Sequence, residues 1–415
     1  MKVIFLAFKN EGGGAVHAMQ RLAAALGYSG VDIDMLVRRQ LSNSQDVSVP
    51  QAKFNVFQSK LRSYLGKQIF KLQKQNRMAL ASANWLPSRL SRLANRSSAD
   101  LVHLHWIGNE TLSIEDVARL RKPTVMTLHD MWGFCGTEHY TPFDQDCRWQ
   151  EGYTRSNKPQ ELRGLDIDHW TWQRKRRAWK RGHIICPSSW LANCACQSAL
   201  MANWDIHIIQ HALDLQTFKS LSKEVARDTF GLPQNKRIIL FGRARSAGDW
   251  VKGIDLLTAA IRESRSVLQN TLVVVFGQDR PTDSLQGNAP AVHSIGPLYD
   301  KANLARLYNA ADVMVVPSRR EAFGQTASEA QACGTPVVAF NASRLKDIVV
   351  HYQTGYLAEP FSTTDLAAGI DWILGTPERF ASLGKAARQR ANTLWHPETV
   401  ASQHLEVYRQ ATACS

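Results

Sequence analysis

Short runs of apolar and β-branched residues recur along this chain, separated by longer stretches with helical periodicity. In the first half the runs VIFLAF (3–8), VDIDMLV (31–37), DLVHLHW (100–106), TVMTLHD (124–130), HIICPS (183–188) and HIIQHA (207–212) predict strands. The pattern then restarts with RIILFGR (237–243), TLVVVFGQ (271–278), VHSIG (292–296), VMVVPS (313–318) and TPVVAF (335–340). Helical spacing predicts helices over 251–265, 301–311 and 325–333, and three more near 365–374, 377–392 and 397–412. Near-continuous apolar strands alternating with helices imply parallel sheets covered on both faces. Two such series in one chain predict two doubly wound, Rossmann-like α/β domains facing a central cleft. Their expected extents are 1–212 and 213–395, with a terminal helix over 396–415 crossing back to the first.

A chain of 415 residues and 44% apolar composition suits two soluble cores. No apolar run reaches the roughly 18 residues that a membrane-spanning helix needs. The opening MKVIFLAFKN reads as a first strand and not as a leader, and seven irregularly spaced cysteines do not form a disulfide framework. The expected location is cytoplasmic.

Charge adds one feature. The net charge is +14, and residues 53–96 hold ten Lys or Arg and no acid. Leu61, Tyr64, Leu65, Ile69 and Leu72 recur there at helical spacing, with Lys60, Arg62, Lys67, Lys71 and Lys74 on other faces. That is the pattern of a basic amphipathic helix lying on an anionic membrane, peripheral to its inner face. Residues 169–183, HWTWQRKRRAWKRGH, interleave tryptophans with cations in a related way. The blander reading packs both apolar stripes inside the domain. Without a nucleic-acid-binding signature, no nucleic-acid partner is expected.

Open parallel sheets bind ligands beyond the carboxyl ends of their strands, so the turns there carry the candidate chemistry. After the first strand, Gly12, Gly13 and Gly14 open a helix, either as a plain tight turn or to let backbone N–H groups approach an anion. The run is not GxGxxG, and a dinucleotide fingerprint fails. His129, at the end of the fourth strand, either faces a ligand or is a structural histidine held by Asp130. In the second half Arg243, Arg245 and Lys252 precede a helix, either as ordinary surface cations or as fixed charges that neutralise a diphosphate. Next comes EAFGQTASE, residues 321–329, with Glu321 before a glycine turn and Glu329 about one turn into a helix. Glu329 can accept both hydrogen bonds of a vicinal diol, and the N–H groups near Gln325 and Thr326 can hold phosphate or sugar oxygens.

These residues resemble the retaining GT-B glycosyltransferases of family 4, over nearly the whole chain. The resemblance rests on E-x7-E followed by ACGTPVVAF, on HLHW, LHDMW and VKGIDLL, and on IGPLYDKANLARLYNAADVMVVPS. LHDMW is similar to a subgroup that builds exopolysaccharides. The resemblance implies that Glu329 binds the nucleotide ribose and that Glu321, with the backbone of Phe323, Gly324 and Gln325, holds the transferred sugar. Lys252 with Arg243 (or Arg245) then takes the diphosphate, Leu298 lies in the nucleotide-sugar site, His129 stands near the reaction centre, and Gly13 and Gly14 approach the diphosphate. It further implies a nucleotide-sugar donor, UDP-hexose being favoured, an oligosaccharide or lipid-linked acceptor, and no metal cofactor. Ala322 departs from the usual E-G-F-G, and the spacing from the arginines to Lys252 is longer than usual. The rival readings are a nucleotide-sugar epimerase or hydrolase of the same architecture, and a non-catalytic basic protein binding membrane or nucleic acid.

Overall fold

The computed structural model describes residues 1–41, 47–48, 55–74, 80–141, 147–242, 249–264, 270–277, 291–321 and 324–413. The chain divides into two compact units, one of Met1–Ala212 together with the chain from Val400 onward, the other of Leu213–Thr399.

In the first unit seven parallel strands lie in the order Val47–Ser48, Asp32–Arg39, Lys2–Lys9, Leu101–His105, Thr124–Thr127, His183–Cys186, Asp205–Ile208. Alternate side chains enter opposite cores, as strand geometry requires. Ile4, Leu6, Val102, Leu104 and Met126 face one, and Val3, Phe5, Leu101, Val125 and Ile185 the other. The second core is completed by Val400, Ala401, Val407, Tyr408 and Ala411 of the helix Pro397–Ala413.

The second unit holds six parallel strands in the order Ala291–Gly296, Thr271–Phe276, Arg237–Gly242, Val313–Val316, Val337–Phe340, Gly355–Ala358. Its strands alternate in the same way. Ile238, Leu240, Val274 and Met314 lie in one core and Ile239, Phe241, Val273 and Val315 in the other.

Two expectations are corrected, and one strand is added. The strand predicted over 207–212 is Asp205–Ile208, and Ile209 and Ala212 instead turn into the core beneath the sheet. The helix predicted over 251–265 breaks into Asp249–Lys252 and Ile254–Glu263, because Gly253 adopts φ +69°. The edge strand Gly355–Ala358 was not foreseen. Its glycine lets two backbones meet, since a Cβ at Gly355 would lie 2.0 Å from the Val337 carbonyl oxygen.

The basic stretch is only partly helical. Asn55–Gln68 is an α-helix and Ile69–Leu72 a single 3₁₀ turn. The second basic stretch forms the helix Ile167–Ala178, and much of it is spent internally: Trp172 and Lys175 are buried, and Arg174 is paired with Glu115 at 2.6 Å. A surface role for 169–183 therefore falls to the exposed Trp170, Arg176, Arg177, Lys180 and Arg181.

Candidate active site

In the first unit, the strand Lys2–Lys9 runs into a turn whose Gly12 and Gly13 have φ of +75° and +92°, conformations open to glycine. Gly13 caps the helix Gly14–Tyr28, and its carbonyl accepts the N–H groups of Val16 and His17. Lys9, absent from the sequence-derived candidates, sends its Nζ beside this turn, about where a Cβ on Gly12 would touch it at 3.5 Å. Burial, then the neighbouring Arg39, lowers the Lys9 pKa, with Glu11 opposing. A cation at a helix N-terminus beside positive-φ glycines is chemically suited to an anion.

His129 is buried and shares a hydrogen bond of 3.2 Å between its Nε2 and Nδ1 of His105. The reading in which Asp130 holds His129 is not what is seen, because the Asp130 carboxylate turns to other groups. Its Oδ2 pairs with His139 Nδ1 at 2.6 Å and accepts the Trp106 indole N–H at 2.8 Å, and its Oδ1 accepts the Trp132 N–H. Burial pushes the Asp130 carboxyl up, and the His139 ring with these donors overcomes it, leaving the pKa below the usual carboxylate range. His139 Nε2 in turn meets Ser82 Oγ at 2.8 Å, and the ring stacks between Trp106 and Trp132. Trp106 has φ +42°, a strained conformation for a bulky residue, in the turn where its strand ends. His129, Asp130, His139 and Trp106 line one small pocket at the carboxyl ends of these strands.

In the second unit the chemistry gathers where two neighbouring strands end. Gly253 approaches the turn after Val313–Val316 so closely that a Cβ there would lie 2.0 Å from the Pro317 carbonyl oxygen. Arg319 reinforces the junction, donating its N–H to the Val251 carbonyl at 3.0 Å and gripping Asp255 through both guanidinium nitrogens. This approach brings Lys252 Nζ against Glu321 Oε1 in an ion pair, and the same oxygen accepts the Ser318 hydroxyl at 3.0 Å. Gly324, at φ +73°, then opens the helix Gln325–Ala332. Gln325 and Thr326 are half-buried in its first turn, where helix N–H groups lack carbonyls one turn back. Glu329, in the next turn, is buried, and its Oε2 accepts the Tyr308 hydroxyl at 2.8 Å. Leu298 is half-buried and packs on the core under the sheet.

Arg243, Arg245 and Phe323 lie outside the described residues. The chain also holds three Asp-x-Asp pairs, a spacing that can bind a metal ion, and they have structural uses where they are described. Asp32 and Asp34 pair with Lys2, Asp166 pairs with Arg148 and caps a helix, and Asp168 bonds Gln73 and Thr137, while Asp144–Asp146 lies outside. Among the described residues no cluster of three or more His, Cys, Asp or Glu is arranged to hold a metal ion.

Two family models match the chain in succession. Residues 12–217 match the family model described as Glycosyltransferase Family 4, and residues 222–390 that described as Glycosyl transferases group 1. The chain thus carries the paired domains of the group 1, family 4 glycosyltransferases. It is similar to a D-inositol 3-phosphate glycosyltransferase of Gordonia bronchialis, 34% identical over 47% of this chain and 45% of that protein. A protein of the same name from Segniliparus rotundus is 32% identical over 50% of this chain and 47% of its own length. The chain spans about half the length of the curated relatives it matches. Among solved structures it superposes on sucrose-phosphate synthase from Thermosynechococcus elongatus with TM-score 0.67 and 21% identity, covering both chains fully. It also superposes on Anabaena HepE in complex with UDP-glucose with TM-score 0.66 and 17% identity, over 99% of this chain and 100% of that one. The fold is that of the GT-B glycosyltransferases.

Proposed function

We propose that this protein transfers a hexose from a nucleotide diphosphate sugar, UDP-hexose being favoured, to an acceptor hydroxyl with retention at the anomeric carbon. The observation that carries the reading is the Lys252–Glu321 ion pair at the carboxyl end of the second sheet, followed at once by the Gly324 turn and the buried Glu329. That sequence of groups measures a ligand with a diphosphate, a sugar and a ribose. Lys252 takes the diphosphate with one of the arginines at 243 and 245, Glu321 orients the sugar, and Glu329 accepts the ribose hydroxyls. UDP is favoured because a solved neighbour, HepE, binds UDP-glucose.

In the reaction the bond from the anomeric carbon to the β-phosphate oxygen breaks, and a bond to the acceptor oxygen forms on the same face. The departing phosphate oxygen takes the acceptor proton, so no protein nucleophile is consumed. Lys252 stabilises the charge that develops on the diphosphate, and the protein supplies position and a preorganised field. Metal-independent transfer belongs to this proposal, with the cationic side chains in the metal's role.

The proposed acceptor is a sugar hydroxyl of a polysaccharide or lipid-linked precursor. The relatives' names make D-inositol 3-phosphate the second acceptor to try. A membrane-bound acceptor is supported by the helix Asn55–Gln68. Arg62 pins it inward by donating to the carbonyls of Pro87, Leu86 and Glu110, while Leu61, Tyr64 and Leu65 stay exposed.

The test incubates purified protein with UDP-glucose and an acceptor panel and follows product configuration by NMR. Retained configuration in an acceptor-dependent product is expected. Epimer formation, or donor hydrolysis at the same rate without acceptor, overturns the proposal in favour of an epimerase or hydrolase.

A further inference from the structure

We infer that Tyr308 is a positioning residue that sets the orientation of the Glu329 carboxylate and so the discrimination between ribose and deoxyribose donors. The inference rests on the donor-site reading above and extends it to a residue that reading does not use.

Glu329 is 4% exposed, and a buried carboxylate needs directed donors to fix it. Tyr308, from the helix Lys301–Ala310, is fully buried and donates its hydroxyl to Glu329 Oε2 at 2.8 Å. The phenol is itself immobilised. Its ring meets Phe276 edge-on at 6.0 Å and Phe218 at a tilt, and its carbonyl accepts the Thr335 hydroxyl at 2.7 Å. Ring and backbone are therefore both held, and the hydroxyl has one place to be. The bond fixes one carboxylate oxygen and with it the plane of the group.

A vicinal diol is read well only by a carboxylate whose plane matches the two hydroxyls, and a carboxylate free to rotate loses that match. The hydroxyl of Tyr308 would thus be felt through ligand hydroxyls it need not touch. Burial and the neighbouring Glu329 charge together raise the Cys333 thiol pKa, which places the carboxylate's field in this same apolar shell. Tyr308 is suited to this shell because a phenol donates without bringing a second charge.

The experiment measures UDP and 2′-deoxy-UDP binding by calorimetry to the wild type, Tyr308→Phe and Glu329→Ala. Phenylalanine keeps the ring contacts and removes only the donor. Tyr308→Phe is expected to weaken UDP by about tenfold, the scale of one hydrogen bond to a charged group. It should leave 2′-deoxy-UDP nearly unchanged, so that the preference for ribose collapses. An equal loss for both ligands, or no loss, overturns the inference by assigning Tyr308 packing alone. Should the phenylalanine variant not fold, Tyr308→Met fills the space flexibly and is read by the same ratio. If Glu329→Ala leaves UDP binding intact, the donor-site reading itself fails, an outcome distinct from a Tyr308 failure.

Discussion

Lys252 and Glu321 form an ion pair across 69 residues of sequence, with only 16% and 10% of their side chains exposed. The pair exists because Gly253, between the helices Asp249–Lys252 and Ile254–Glu263, lets the backbone there touch the turn after Val313–Val316. Removing one member of a pair this sheltered leaves the other charge uncompensated, at a cost of several kcal/mol where burial is complete and less here.

From that pair the first prediction separates the two ends of the donor. Lys252→Met should weaken UDP binding by about ten- to a hundredfold, the loss of a charge-assisted contact, while uridine binding stays close to wild type. Glu329→Ala should weaken UDP and uridine alike. Calorimetry with both ligands checks the pattern, and a Lys252 variant that loses uridine as well would place the lysine at the wrong end.

Gly253→Ala tests the backbone junction. The substitution puts a Cβ 2.0 Å from the Pro317 carbonyl oxygen at φ +69°, so both clash and strain oppose it. We expect a loss of more than about 2 kcal/mol in stability. Denaturant titration measures the loss. Gly231→Ala, also at positive φ but with nothing within 4 Å, is the control that separates strain from clash.

Acid should loosen the first unit through its buried histidines. His404 is buried, donates Nδ1–H to the Val400 carbonyl, and is pushed by burial down to about 4. Burial, then neighbouring histidines, holds His103 and His105 well below the ordinary value as well. A histidine depressed in the folded state binds fewer protons than it does unfolded. Its stabilisation is therefore complete above about pH 6.5 and falls as pH drops toward 4, by on the order of 3 kcal/mol for His404. Thermal melts between pH 7 and 4 should show the decline, and His404→Gln should flatten it. A melting temperature independent of pH in this window contradicts the argument.

The helix Asn55–Gln68 predicts membrane association. Tyr64 is 59% exposed beside exposed Leu61 and Leu65, and Lys60 and Lys67 flank them. Co-sedimentation with phosphatidylserine vesicles is expected at low salt and should weaken as salt screens the lysines. Leu61→Asp with Tyr64→Asp should abolish it while leaving UDP binding unchanged. Equal sedimentation with neutral vesicles would show that charge plays no part.

The strands were readable because parallel strands buried on both faces are near-continuous apolar runs. Gly355–Ala358 lacks that signal, being four residues long and opened by a glycine. The acids of EAFGQTASE were legible as a spacing, since both belong to one strand-turn-helix segment. Lys9, His105 and Tyr308 were not. Lys9 was hidden at the end of a strand, and His105 stood in an apolar run as if it were only core. Tyr308 lay in a helix whose amphipathic pattern explained it without remainder.

The two αβ series, the carboxyl-end turns and the residues placed in them follow from local periodicity and turn chemistry, both of which are written in the order of residues. Which groups meet comes from the packing of the folded chain: Asp130 with His139 and not His129, Lys252 with Glu321, Tyr308 with Glu329. Which turns become neighbours depends on strand order. In the second sheet Arg237–Gly242 lies beside Val313–Val316, three strands later in the chain. That adjacency is set by crossover packing across the whole sheet, which no local window of sequence contains.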